Sequence, residues 1–142
     1  MARPAEAAGK AIAVVDASVI VDLLLRDTAT LPFGYTFVAP AHLDAEVSSA
    51  LARLWRAGTI SSRAVDDMLV GLCEIAVERM PLPPLLAAAF ELRENVTQRD
   101  SLYVALARLL DGALVTRDER LASVCRQLKL CGVLTWNEGW IQ

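Results

Sequence analysis

Residues 14–25, VVDASVIVDLLL, constrain the fold of this chain more than any other stretch. The residues before Asp16 are apolar, mostly β-branched and show no polar alternation, which is typical of a short strand buried on both faces, as in a parallel sheet. After Asp16, apolar residues surround nearly every side of a short helix, so we expect that helix to be covered on more than one face. Asp16 should then lie at the carboxyl end of a first strand, the edge at which open α/β sheets bind ligands. Because an Asp at such a turn is also a common helix N-cap, its role depends on the other carboxylates.

Strands and helices alternate along the rest of the chain. Apolar runs favour strands over residues 35–39, 113–116 and 131–136, with a shorter candidate at 80–83. Apolar spacing and the placement of Pro and Gly favour helices over residues 41–57, 61–79, 84–95, 100–111 and 118–129. Gly58 is expected to end the second helix, and Gly112 to act as a left-handed C-cap of the fifth.

This order of elements predicts an α/β fold. We expect a three-layer sandwich in which a central, mainly parallel sheet of four to five short strands is flanked by helices. Residues 1–10 lack the apolar segment of a signal peptide and are expected to form a flexible leader. With 142 residues in all, residues 11–142 are expected to form a single domain.

Apolar residues make up 55% of the chain, above the usual share for a globular protein. Asp16, Asp22, Arg108 and Asp111 interrupt the apolar runs well before the roughly twenty residues that a membrane-spanning helix needs. We therefore predict no membrane segment and expect a cytoplasmic protein.

The apolar residues of the first two helices exceed what one sheet face of a small domain covers. Residues 19–25 are apolar almost all round the first helix, and the second helix adds Leu51, Leu54 and Trp55. This surplus predicts a homodimer, and a groove beside the first two helices that accepts an apolar segment of a partner. The alternative is that the middle helices fold back over this surface and make it part of the core.

Cysteine, histidine and net charge exclude several classes of protein. Cys73, Cys125 and Cys131 form no CxxC pair and the single histidine is His42, so neither a zinc site nor a disulfide framework is expected. His42 is interpreted as a surface or capping residue beside a helix start. The net charge of −3 indicates no broad nucleic-acid footprint, so any contact with RNA or DNA must be local.

Four acidic residues occupy comparable structural positions. Asp16 and Asp118 follow predicted strands, Asp100 starts a helix, and Glu46 lies early in another. Each could serve only as a cap, as a partner of the helix dipole or as a solvated residue. In a parallel sheet, however, the carboxyl ends of the strands share one edge, so the four acids can meet there.

Clustered carboxylates indicate a metal site. Four of them without a counter-ion would repel one another and take up protons, and a hard divalent cation removes that problem. Mg²⁺ and Mn²⁺ prefer oxygen ligands, and such an ion activates water against a phosphodiester without a protein nucleophile. No Ser-His-Asp set and no GxxxxGK[ST] phosphate loop is evident, which leaves metal-assisted hydrolysis as the favoured chemistry.

Taken together, these motifs resemble the PIN-domain ribonucleases, and in particular the VapC toxins of bacterial toxin–antitoxin pairs. The likeness lies in VVDASVIVDLLL, HLDAEVSSAL, RDSLYVALARLLDGALVT and TRDERLA, in an order and spacing that match from residue 11 to residue 136. The resemblance implies a three-layer PIN-like sandwich and a Mg²⁺- or Mn²⁺-dependent endoribonuclease, the toxin of a type II pair. It also implies a homodimer that a VapB-like antitoxin holds inactive. A basic side chain of the antitoxin segment would then reach the acidic pocket.

The resemblance also implies roles for particular residues. The metal would be held directly or through water by Asp16, Glu46, Asp100 and Asp118. Ser18 and Thr116 would orient these ligands or a bound water, and Arg99 and Arg117 are candidate contacts to RNA phosphates. Ser101 departs from the alanine common after the third acid, and the two arginines flank the third and fourth acids. The acids interpreted as solvated or capping are Asp22, Asp27, Asp44, Asp111 and Glu119, of which Glu119 could share the metal role of Asp118.

Two other classes of phosphate-handling protein need residues that this sequence lacks. A receiver domain would need an acidic pair before the first helix, where Val15 precedes Asp16, and a lysine near the end of a late strand, which CGVLTW lacks. A haloacid-dehalogenase-like phosphatase would need Asp-x-Asp, and Ser18 occupies the third position. Two alternatives remain open: a PIN-scaffold module that binds RNA or protein without turnover, and a housekeeping PIN nuclease.

Overall fold

A computed structural model describes residues 9–26, 30–137 and 139–141. The strands are β1 Ala11–Val15, β2 Tyr35–Pro40, β3 Glu78–Met80, β4 Ala113–Thr116, β5 Gly132–Asn137 and β6 Trp140–Ile141. The helices are α1 Ala17–Leu25, α2 Leu43–Arg56, α3 Ser62–Glu74, α4 Leu86–Phe90, α5 Gln98–Leu109 and α6 Glu119–Gln127. A 3-10 turn, Pro83–Leu85, precedes α4. Most of the predicted leader, residues 1–8, lies outside the described residues.

The sheet has the order β3-β2-β1-β4-β5-β6. The first five strands of this order are parallel to one another, and the two-residue β6 pairs antiparallel with β5. Helices flank the sheet, so the predicted three-layer α/β fold with a mainly parallel sheet is confirmed. Within the described residues, no helix is both long and apolar enough to cross a membrane.

The chain changes direction across the sheet at β1. From β1 it proceeds to β2 and β3 on one side, then returns to place β4 and β5 on the other side. Open α/β sheets bind ligands at the carboxyl ends of the strands beside such a reversal. In the register, Val15 pairs with Val115. Asp16, which follows β1, and Thr116, the last residue of β4, are therefore brought side by side.

The core explains the unbroken apolar runs of the central strands. Ala13, Val14 and Val15 of β1 are fully buried, as a strand covered on both faces requires. The helix α5 packs against β1, β2 and β4, and its residues 101–107 are all buried. Because α5 is surrounded by protein, its sequence carries little helical amphipathicity.

The predicted surplus of apolar surface on α1 and α2 is wrong in part. Val19, Ile20 and Leu51 are fully buried, because α3 packs back against both helices. The alternative considered from the sequence, that the middle helices make this surface core, therefore holds for these residues. On the same two helices, Leu25 and Trp55 remain about half exposed.

Two predictions for the middle of the chain are wrong. The third helix, predicted to reach residue 79, ends at Glu74, and residues 78–80 form the edge strand β3 instead. The Arg79 guanidinium donates hydrogen bonds to the carbonyls of Leu72 and Val77, both at 2.7 Å, and forms a 2.8 Å ion pair with Asp44. These bonds fold the chain back after α3.

The fourth helix, predicted over residues 84–95, is shorter and spans only α4, after which turns lead to α5.

The role predicted for Gly112 is wrong, although glycine is required there. The left-handed residue after α5 is Asp111, with φ 53°, and Gly112 is not in that region. A Cβ at Gly112 would instead lie 2.7 Å from the carbonyl oxygen of Ile12. The glycine is therefore needed for the close approach of β4 to β1. Gly58 has φ 76° directly after α2, as expected of a residue that ends a helix.

Candidate active site

Asp16 is the buried centre of the candidate site. It is the N-cap of α1, and its Oδ1 accepts hydrogen bonds from the Ser18 hydroxyl at 2.6 Å and from the Val19 amide at 3.3 Å. Its Oδ2 accepts a hydrogen bond from the Thr116 hydroxyl. Only 6% of Asp16 is exposed, and this burial raises the pKa of its carboxyl group to about 6. Asp16 is therefore both a helix cap and a carboxylate in an environment that disfavours its charge.

Ser18 and Thr116 connect Asp16 to the loop after β4. The Ser18 hydroxyl accepts a 3.0 Å hydrogen bond from the Arg117 amide, and the Thr116 hydroxyl accepts a 2.9 Å hydrogen bond from the Asp118 amide. Both hydroxyls thus donate to Asp16 and accept from this loop. The position of Asp118 is thereby tied to that of Asp16, and the structure places both predicted orienting residues in contact with Asp16.

Glu46 lies on α2 and is held by residues from α5. Its Oε1 accepts a 2.7 Å hydrogen bond from the Tyr103 hydroxyl, and its Oε2 lies 3.5 Å from the Arg99 Nε. Burial, together with the neighbouring Glu46 carboxylate, raises the pKa of the Tyr103 hydroxyl far above its ordinary value. Tyr103 therefore stays protonated and keeps donating to Glu46.

The interpretation of His42 as a surface or capping residue is wrong. It precedes α2 but makes no capping hydrogen bond through its side chain, which is only 13% exposed. Its Nε2 lies 3.0 Å from the carbonyl oxygen of Arg99 and 3.7 Å from Oε1 of Glu46, and its ring packs against Tyr103 at 4.8 Å between centroids. His42 and Tyr103 thus support Glu46 from two sides. Their spacings, four residues before Glu46 and three after Asp100, are the sequence signals that could have identified them.

Asp100 and Asp118 complete the set of acids. Asp100 lies in the first turn of α5, half-buried, and its pKa is raised by burial and by the charges of Asp118 and Glu46. Asp118 is the exposed N-cap of α6, and its Oδ1 accepts hydrogen bonds from the amides of Arg120 and Leu121 at 3.0 and 3.1 Å. Within the described residues, no hydrogen bond engages its Oδ2. The charge of Asp100 in turn helps to raise the pKa of Asp16, so Asp100 links the other three acids electrostatically.

All four acids line one open pocket of about 510 Å³. Ser18, Tyr103, Arg53, Arg99 and Arg117 also line it. Across the described ranges, no group of three or more His, Cys, Asp or Glu side chains stands at metal-ligand spacing. The pocket thus combines carboxylate oxygens with arginine side chains that can bind the phosphates of a nucleic-acid backbone.

Other acidic residues have structural roles or lie away from the pocket. Glu119 is exposed and is not among the pocket-lining residues, and Asp44 pairs with Arg79. The interpretation of Asp22 as solvated or capping is wrong, because it is buried and accepts hydrogen bonds from three side chains. Asp111 is exposed, and Asp27 lies outside the described residues.

Ser101 stands where an alanine is common after the third acid. It is fully buried, donates to the Val96 carbonyl at 3.4 Å and does not line the pocket. The serine therefore leaves the pocket surface unchanged.

Comparison with known proteins agrees with this architecture. The family model of the PIN domain matches residues 13–127. The chain therefore belongs to the PIN-domain family. Among its relatives, Ribonuclease VapC3 of Mycobacterium tuberculosis is 44% identical over 115 residues, covering 77% of this chain and 84% of VapC3.

Two solved structures share the fold. PAE2754 from Pyrobaculum aerophilum aligns with a TM-score of 0.62 at 23% identity, covering 80% of this chain and 84% of that chain. The VapBC-1 structure from nontypeable Haemophilus influenzae aligns with a TM-score of 0.55 at 13% identity, covering 88% of this chain and 98% of that chain.

Proposed function

We propose that this chain is a Mg²⁺- or Mn²⁺-dependent endoribonuclease that hydrolyses RNA phosphodiester bonds. The observation that carries the proposal is that Asp16, Glu46, Asp100 and Asp118 line one open pocket at the carboxyl ends of β1 and β4. Similarity to the VapC ribonucleases supports RNA as the substrate.

The chemistry of the pocket's donor atoms, rather than their spacing in this structure, fits a hard divalent cation. Carboxylate oxygens are the ligands that Mg²⁺ and Mn²⁺ prefer. Burial and neighbouring acids raise the pKa values of Asp16 and Asp100, and a divalent cation relieves this stress. We assign the ion to Asp16, Glu46, Asp100 and Asp118, as direct or water-mediated ligands. When bound, the ion would polarise the phosphate and lower the pKa of an attacking water.

The neighbouring side chains hold these acids in place and provide positive charge. Ser18 and Thr116 each fix one oxygen of Asp16. Tyr103 fixes Oε1 of Glu46, so that its Oε2 stays on the side of Arg99. Arg99 and Arg117 line the same pocket and can bind phosphate oxygens through charge-assisted hydrogen bonds.

The test is cleavage of RNA by the purified chain. EDTA should stop cleavage and added Mg²⁺ or Mn²⁺ should restore it. Asp16→Asn should lower the rate by about two to four orders of magnitude, because it removes a charged ligand at the centre of the site. The matched control is Asp66→Asn, an exposed acid on α3 outside the pocket, which should cleave like the wild type.

Two results would contradict this proposal. Undiminished cleavage by folded Asp16→Asn would exclude the assigned site. RNA binding without any cleavage, with or without metal, would favour a binding module on the PIN scaffold.

We also propose that the protein is the toxin of a type II toxin–antitoxin pair, inhibited by a VapB-like antitoxin. Similarity to VapC3 supports this role, and the VapBC-1 structure shares the fold. A groove of about 650 Å³ offers a surface for the antitoxin, and its apolar walls include Leu23 and Leu24 of α1 and Met68 and Ile75 at α3. It lies between α1 and α3 rather than beside α1 and α2. The test is to coexpress this chain with the product of a neighbouring reading frame. That product should copurify with this chain and stop its cleavage of RNA.

We further propose that the chain forms a homodimer. Several large apolar side chains of the described residues remain close to half exposed or more, and they are Leu25, Phe33, Trp55, Val70, Leu86, Phe90, Leu109 and Leu128. Leu86 and Phe90 lie one turn apart on α4 and so form a small apolar face that a second copy can cover.

A further inference from the structure

Asp22 is a buried carboxylate with a donor on each side. Its Oδ2 accepts hydrogen bonds from the Trp136 indole at 2.7 Å and from Arg26 Nε at 2.9 Å. Its Oδ1 accepts a 3.1 Å hydrogen bond from Arg117 Nη1. One oxygen is therefore anchored to β5 and to the end of α1, while the other is presented to the loop after β4.

The charge of Asp22 is maintained despite its burial. Burial alone would raise the pKa of Asp22, but the hydrogen bonds from Arg26 and Trp136 and the charge of Arg117 together lower it. The carboxylate is therefore a fixed negative charge at neutral pH. A buried carboxylate held by three donors is costly to move. It therefore limits the motion of any partner side chain that is not held elsewhere.

Arg26 and Arg117 are both partly exposed partners of this kind, and of the two it is Arg117 that lines the pocket of the four acids. Its side chain is half exposed. Asp22 engages only Nη1, and no hydrogen bond within the described part of the chain engages Nε or Nη2 of Arg117. The backbone amide of Arg117 is bound to Ser18, so the residue is fixed at both ends while part of its guanidinium stays available.

We propose that Asp22 is a positioning residue that holds the Arg117 guanidinium in the pocket, where its free nitrogens bind a phosphate oxygen of the RNA. This inference rests on the proposed ribonuclease function. An arginine held in advance loses less conformational freedom when a phosphate binds, and its planar fork can contact a carboxylate on one edge and a phosphate on another. Among the hydrogen bonds of the described residues, none joins Asp22 to the four acids, and Asp22 does not line their pocket.

The test is whether Asp22→Asn strengthens or weakens the binding of RNA. This change removes a negative charge near the RNA site, so simple electrostatics predicts tighter RNA binding. If Asp22 positions Arg117, the opposite is expected. Asp22→Asn should then bind RNA about tenfold more weakly, as should Arg117→Gln, because a charge-assisted phosphate contact is lost. Affinity is measured by fluorescence anisotropy with a labelled single-stranded RNA of mixed sequence, in EDTA so that nothing is cleaved.

A double-mutant cycle and a salt series separate positioning from general destabilisation. Asp22→Asn combined with Arg117→Gln should bind no more weakly than Arg117→Gln alone, because both changes remove the same contact. Each variant should reduce the slope of log affinity against log salt by about 0.7, the loss of one phosphate contact to single-stranded nucleic acid. Arg93→Gln is the matched control, since Arg93 packs over Phe90 outside the pocket, and it should leave affinity unchanged.

Each outcome decides one point. Unchanged or tighter binding by Asp22→Asn overturns the positioning role, as does unchanged binding by Arg117→Gln. If Asp22→Asn fails to fold, Arg117→Lys decides instead: a lysine keeps the charge but cannot bridge two acceptors as a fork, so wild-type affinity in that variant overturns the inference. Failure of the wild-type chain to bind and cleave RNA would refute the proposed function itself.

Discussion

Replacing Asp16 by Asn should flatten the pH dependence of the free protein's stability. Burial raises the pKa of Asp16 from 3.8 to about 6. Between these values the folded protein holds a proton that the unfolded chain has already released, so stability must fall as the pH rises. The contribution of the neutral carboxyl group is fully present below about pH 4 and is lost as the pH rises through about 6.

The size of this effect follows from the same pKa values. A change from 3.8 to about 6 corresponds to about 3 kcal/mol of unfolding free energy. A protein of this size has a total stability of about 5–15 kcal/mol, so the loss is readily measured. Asp100 acts in the same direction, because its pKa is also raised by burial and by the charges of Asp118 and Glu46.

Urea unfolding in EDTA, repeated from about pH 4 to about pH 8, is the assay. Wild-type stability should fall across this range, and the curve of Asp16→Asn should retain only the smaller part due to Asp100. The control, Asp66→Asn, should parallel the wild type. Adding Mg²⁺ or Mn²⁺ to the wild type near neutral pH should restore the lost stability. Parallel curves for the wild type and Asp16→Asn would refute the reasoning, and the absence of any effect of metal would count against a clustered site.

Three further results are expected. Gly112→Ala should destabilise the fold by about 1–3 kcal/mol, because its Cβ would lie 2.7 Å from the Ile12 carbonyl oxygen; a thermal melt unchanged from the wild type would show that β1 and β4 can separate to admit the methyl group. Leu24→Glu should abolish antitoxin binding while leaving circular dichroism and melting temperature nearly unchanged, and a variant that unfolds would place Leu24 in the core instead of the groove. Light scattering after size-exclusion chromatography should give the mass of a dimer, and a monomer at micromolar concentration would exclude the proposed homodimer.

The fold could be predicted from the sequence where local pattern and tertiary structure agree. The apolar run before Asp16 is a buried central strand, and the same logic located β4 and β5. It misplaced β3, predicted over residues 80–83 and found at Glu78–Met80, because three residues of an edge strand carry no periodicity and the preceding helix pattern continues into them. It also failed at the end of the fifth helix, where the reason for a glycine is the distant Ile12 and not the helix.

The pocket acids were predictable because each occupies a position that parallel topology brings to one edge. Of the residues that support them, Ser18 and Thr116 were also named from the sequence, but those that hold Glu46 and Arg117 were not. Tyr103 contacts Glu46 from 57 positions away, and Asp22 accepts hydrogen bonds from residues 95 and 114 positions away. Asp22 also looks like any polar residue on an apolar helix. Only the packing of β5 and the loop after β4 against α1 reveals that its carboxylate is enclosed.

The bond between Asp16 and Thr116 spans 100 positions of the chain, which has a consequence for synthesis. The central strand β1 leaves the ribosome well before its neighbour β4, which is about 100 residues further along the chain. Until β4 is made, one edge of β1 has no partner, and the nascent chain lacks Asp118 and the Thr116 hydroxyl that donates to Asp16. Closing so distant a contact is slow compared with forming a helix. The pocket therefore cannot form until β4 and Asp118 have been made, and a nascent chain that stops before them cannot possess it.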